Sequence, residues 1–169
     1  MITTQLRFQP GNAKSFVSER EYTRAMSAVH QAVGIEWQSK MLPLHFKKSA
    51  QAKYAYKPRT SKYLEWKKKK WKQRRPMKNG QYVEGSGETD LVLSGDMRDM
   101  MLGPAVIRAF PTRVSINLTG PRYMTMRTNS NQPDKLLEVA TTTERERVEL
   151  AKVAETAFER MAAGWSRPY

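Results

Sequence analysis

The chain contains no cysteine, which excludes disulfide staples, thiolate nucleophiles and every Cys-based metal site. It has two histidines, His30 and His45, and neither has a His, Asp or Glu at a spacing that makes a convincing metal site, so no metal and no cofactor are expected. No stretch approaches the roughly 18 apolar residues needed to span a bilayer. The first residues, Met1-Ile2-Thr3-Thr4-Gln5-Leu6-Arg7-Phe8, lack the basic start and apolar core of a secretory signal. A soluble protein with no membrane partner is expected. Acidic residues are also scarce, 16 against 30 Lys and Arg in 169 residues, and the shortage is local.

Between Lys47 and Lys78 there are fourteen Lys and Arg and one acid, Glu65, a local balance of +13 out of a formal net charge of +14. The remainder of the chain is therefore close to neutral, and the charge is a feature presented to something negative. Ordinary solvated helices interleave both signs, because like charges at i,i+4 repel by a few tenths of a kcal/mol per pair. Aromatics are spread through the same stretch: Tyr54, Tyr56, Tyr63, Trp66 and Trp71. They read either as a stacking surface for nucleic acid or as the buried side of a helix whose lysines are its wet side.

The pattern places a capping box at Ser18-Glu19-Arg20-Glu21. A helix follows, with Tyr22, Ala25, Met26, Val29, Val33, Trp37 and Met41 on one face, ending before Pro43. Gly34 interrupts that face. A second helix is predicted from about Ser61 to Gln73, closed by Arg74-Arg75-Pro76, and the glycine-rich residues 77 to 90 read as a loop. Ser94 is placed to cap a short helix carrying Met97, Met100 and Met101. Ala105 to Phe110, a turn at Pro111-Thr112, and Val114, Ile116 and Leu118 alternating with Ser115, Asn117 and Thr119 predict a pair of strands. A further extended piece is expected around Tyr123 to Met126. Thr141-Thr142-Thr143-Glu144 offers a second capping box before a C-terminal helix with the stripe Val148, Leu150, Ala151, Ala154, Ala157, Phe158 and Met161.

Catalytic patterns are weak. Pro133-Asp134 has no Glu-X-Lys to complete a restriction-type nuclease site, Gly85-Ser86-Gly87 lacks the lysine of a phosphate-cradling loop, and Ser94 has no histidine placed by sequence to activate it. No catalytic residue, no enzyme activity and no small-molecule substrate are expected.

The succession His45-Phe46-Lys47-Lys48-Ser49-Ala50, Tyr54-Ala55-Tyr56-Lys57-Pro58-Arg59, Lys62-Tyr63, a lysine-rich helix and Leu91-Val92-Leu93-Ser94-Gly95-Asp96-Met97-Arg98 resembles the tail-completion and neck (head-tail connector) proteins of tailed bacteriophages. The step Ser94-Gly95-Asp96-Met97-Arg98 corresponds to that family's Ser/Thr-Gly-X-Leu-Arg signature, with Met97 in the Leu place. The resemblance covers about Pro43 to Met161. It implies a structural virion protein assembled in the host cytoplasm as a ring at the head-tail junction. Its partners would be copies of itself, portal, adaptor or tail-tube proteins, and genomic DNA in the channel. Ser94, Gly95, Met97 and Arg98 are then structural motif residues.

The expected fold is α+β: a small antiparallel sheet packed by N- and C-terminal helices, with a basic aromatic-rich helical and loop arm. One domain is expected over 1–169: an N-terminal extension 1–17, a helix 18–42, the basic arm and loop 43–90, a β-rich core 91–127, a loop 128–140 and a C-terminal helix 141–163. Residues facing an anionic partner or DNA are Lys62, Lys67, Lys68, Lys69, Lys70, Lys72, Arg74 and Arg75. Subunit-interface candidates are Tyr54, Tyr56, Arg59, Tyr63, Trp66 and Trp71. The alternative function is a basic DNA-binding module acting in phage DNA packaging or regulation.

Overall fold

A computed structural model describes residues 2–6, 18–47, 49–72, 96–121 and 135–163. The elements, in chain order, are β1 (Ile2–Leu6), α1 (Glu19–Glu36), a π turn (Trp37–Met41) and a 3-10 turn (Leu42–Phe46). Then come α2 (Ala50–Tyr54), α3 (Ser61–Lys72), α4 (Asp96–Leu102), β2 (Val106–Phe110), β3 (Arg113–Leu118), α5 (Lys135–Ala140) and α6 (Glu144–Ala162). The architecture is α+β. Length alone suggests one domain; contacts group the chain into two compact units, Met1–Met41 with Ala105–Leu118 and Thr142–Tyr169, and Leu42–Pro104 with Thr119–Thr141.

The first unit is a three-stranded antiparallel sheet in the order β1-β3-β2, with α1 on the sheet and α6 along α1. The alternation read from Val114, Ile116 and Leu118 holds, since all three are buried while the residues between them are only partly covered. β1 corrects the expectation of an N-terminal extension: Ile2 to Leu6 pair with Leu118 to Val114. The β2-β3 hairpin turns at Pro111-Thr112, and Pro111 excludes the primed turns that need φ > 0 at that place. α1 approaches the sheet at Gly34, where an added Cβ would stand 2.8 Å from Val114 Cγ2 and 3.1 Å from Ile107 Cγ2. The glycine that interrupts the sequence pattern is thus a point of close helix-to-sheet approach, and it is buried.

Ser18 caps α1 as expected, accepting from the Glu21 amide while the Glu21 side chain accepts from the Ser18 amide. The Ser18 hydroxyl also donates to the Glu21 carboxylate at 2.6 Å, and that bond first, with the one from the Ser18 amide, lowers the Glu21 pKa. At the other end α1 stops at Glu36, short of Pro43, and the chain winds on without a break. It widens into the π turn, where the Ser39 hydroxyl donates to the Ile35 carbonyl at 2.8 Å, and then tightens into the 3-10 turn. Pro43 is tolerated because it is the second residue of that turn, where an amide hydrogen has no partner to lose. The second capping box also sits two residues later than expected. Thr143 is the N-cap and Glu146 its reciprocal partner, and Glu146 is buried. Threonines at both 141 and 143 have a Glu three residues on, and the later pair forms the box.

His30 is fully buried on α1 and shares a 2.8 Å hydrogen bond between Nδ1 and the Met26 carbonyl. Burial lowers its pKa, against a smaller opposing effect of that hydrogen bond. The unfolded chain therefore binds a proton near pH 6.5 that the folded chain refuses. Stability from this residue is intact above about pH 6.5 and is lost as pH falls towards the lowered folded value. We expect the gap in urea midpoint between the native chain and His30→Leu to narrow on acidification; a pH-independent gap would show that His30 does not carry this slope.

In the second unit the predicted helices are present as α3 and α4, and α4 lies against the 3-10 turn with Met97 and Met101 buried. α5 corrects the expectation of a loop over 128–140. Leu91-Val92-Leu93, Ser94, Gly95 and the piece Tyr123 to Met126 lie outside the described residues, as do Arg74 and Arg75.

Candidate functional site

Four of the residues singled out in the sequence, His45, Tyr54, Tyr56 and Arg59, lie in the second unit. α2 ends in a left-handed Ala55, φ 50, whose amide donates to the Gln51 carbonyl. Ordinary helical geometry sends residues i and i+2 to different faces. The reversal at Ala55 instead turns both Tyr54 and Tyr56 towards His45. For a residue with a Cβ this conformation costs about 1–2 kcal/mol.

The His45 ring stacks on Tyr54, with centroids 3.8 Å apart and planes inclined by 10°. Tyr54 and Tyr56 lie 5.7 Å apart at 19°. His45 Nδ1 and the Tyr56 hydroxyl share a hydrogen bond. All three side chains are buried.

Three residues beyond Tyr56, Arg59 reaches across 79 positions of sequence to Glu138 on α5, Nη2 to Oε2 at 2.5 Å. Both side chains are nearly closed off, 7% and 9% exposed. Arg59 Nη1 and Glu138 Oε1 are buried without a hydrogen-bond partner. Lys135, one turn before Glu138, has its pKa lowered by burial first and by the Arg59 charge second, with Glu138 opposing. One carboxylate thus serves two cations. The next residue, Thr60, caps α3, its Oγ1 accepting from the Tyr63 amide at 3.3 Å.

α3 carries most of the basic candidates. Lys62 and Lys69 are exposed, and Lys67, Lys68, Lys70, Lys72 and Trp71 are also on this helix. Tyr63 is half-buried, and its ring lies 5.8 Å from that of Trp66, which is 45% exposed. Trp66 is therefore not the covered side of the helix. Tyr54, Tyr56 and Arg59 differ from the subunit-interface expectation in the opposite sense: their own chain buries their side chains, so they support the unit from within. Met97 is buried, and Arg98 pairs with its neighbour Asp99 at 2.9 Å.

Sequence reasoning missed Lys135 and Glu138. The only local signal was an acid set among apolar neighbours in Lys135-Leu136-Leu137-Glu138-Val139-Ala140. Among the described residues no group of three or more His, Asp and Glu stands close enough to hold a metal ion, and no helix is long and apolar enough to cross a membrane. No protein-family model, no curated protein and no solved structure matches the chain.

Proposed function

We propose that this chain is a structural assembly protein of the tail-completion or neck kind. It would act by subunit contacts in a virion ring, with a basic segment turned to an anionic surface. The observation that carries this reading is the use made of the motif residues. His45, Tyr54, Tyr56 and Arg59 are spent on a buried stack and ion pair that lead directly into the N-cap of α3, whose Lys62 and Lys69 are exposed. Chemistry-bearing side chains are used as scaffold, and what the scaffold presents is charge.

Sedimentation velocity and electron microscopy of the purified full chain test the reading. Closed multi-subunit particles are the expected result. A discrete monomer or dimer with submicromolar DNA affinity would instead favour the second reading, a DNA-binding module, to which the exposed Trp66 beside lysines lends support. If DNA is the anionic surface and about six phosphates are neutralised, log affinity falls against log salt with a slope near −5. Salt-independent binding, or binding unaffected by Lys67→Gln through Lys70→Gln together, would rule DNA out as that surface.

A further inference from the structure

We propose that the open face of the sheet and the outer face of α6 are the two halves of one head-to-tail contact between copies of this chain. The inference rests on the assembly reading above and names the surfaces that would carry it.

The register places Val106, Arg108 and Phe110 of β2 opposite Asn117, Ser115 and Arg113 of β3. These six share the face that points away from α1, because Ile107 and Val114, on the other face, meet Gly34. None of these six is acidic. Val106 is 53% and Phe110 40% exposed. The Arg113 guanidinium lies 5.1 Å from the Phe110 ring centroid. This is a basic surface with an aliphatic and an aromatic side chain left open.

The outer face of α6 is its counterpart. Val148, Glu155 and Glu159 fall within roughly 40° of one another around the helix. All three are exposed, Val148 at 48%. Lys152 lies among them and leaves the stripe net negative. Glu144 and Glu149 are engaged by Arg147 and Arg145. Among the described residues neither Glu155, Glu159 nor Arg108 has an ion-pair partner in its own chain.

The two surfaces lie on opposite sides of the first unit. Ala32, which lines a cleft with Val153 and Ala157 of α6, is about 200° around α1 from Gly34, so α1 stands between sheet and α6. A two-fold pairing of like faces would set arginine on arginine or glutamate on glutamate, whereas sheet against α6 joins opposite charges and covers Phe110 and Val148 together. Such a contact uses different surfaces on the two copies and therefore repeats, closing as a ring when its rotation allows.

Sedimentation velocity of the full chain, with circular dichroism to confirm folding, tests this by charge reversal. Arg108→Glu and Glu155→Arg are each expected to weaken self-association roughly tenfold or more, and the double variant to recover most of that loss. Phe110→Ser, which changes no charge, is expected to weaken it as well. If the native chain assembles and both reversals leave its association constant unchanged, this interface is wrong while the assembly reading stands. If the native chain remains monomeric at every concentration, the assembly reading fails and the interface with it. If Arg108→Glu weakens binding of a single-stranded oligonucleotide and leaves self-association intact, the face serves nucleic acid and the proposal is overturned.

Discussion

Glu138→Ala is expected to lower stability by about 3–5 kcal/mol, the usual cost of removing one partner from a buried ion pair. The Arg59 side chain would keep its charge in a site that is 7% exposed, with its carboxylate partner gone. Lys135 would lose the Glu138 charge, which favours its protonated form. Arg59→Ala is expected to cost less, because Glu138 keeps Lys135 one turn away on α5 as a partial counter-charge. The double variant Arg59→Met with Glu138→Leu should return most of the loss, since apolar groups of similar volume carry no desolvation penalty. Urea denaturation of the three variants measures the pattern. A Glu138→Ala loss under about 1 kcal/mol would mean that water reaches the pair and that the site is not the closed one described.

Trp37→Ala should cost a similar amount, about 3–5 kcal/mol, by leaving a cavity where an indole is fully buried. Trp37→Phe should cost well under half as much. The Trp37 Nε1 is buried with no hydrogen-bond acceptor, and an unmade hydrogen bond of that kind penalises the folded state by about 1–3 kcal/mol. Phenylalanine gives up part of the contact surface and removes the stranded donor with it. Thermal melts of both variants separate the two contributions; equal losses would show that the N–H is satisfied in solution.

Elements with a strong local rule were legible in the sequence. The period-two run Val114 to Leu118, the Ser18 to Glu21 box and the lysine-rich helix beginning at Ser61 each follow from residues within one or two turns of each other. β1 was not legible, since Ile2-Thr3-Thr4-Gln5-Leu6 carries little apolar content and becomes a strand by pairing with β3. α5 is too short for a periodicity to show. The buried centre escaped for another reason. Tyr54 and Tyr56 read as aromatics in search of cover, and that cover comes from His45, through a left-handed alanine that no propensity favours. Arg59 and Glu138 are an exposed-looking basic residue and a loop acid until a contact over 79 positions joins them. Local pattern describes faces, and pairings between distant faces lie beyond it.

Gly34, Ile107 and Val114 share a single volume, which constrains how these positions can change over time. A methyl added at 34 has no room until the branched side chain at 114, the nearer of the two, has first been made smaller, and the β-branched rotamers of valine and isoleucine leave little freedom to swing aside. The order of substitution therefore matters: shrinking a strand residue first leaves a tolerable gap, whereas enlarging the helix residue first forces the layers apart. Sequences descended from this one should accordingly vary at the three sites as a correlated set, with glycine at 34 retained wherever both branched residues remain.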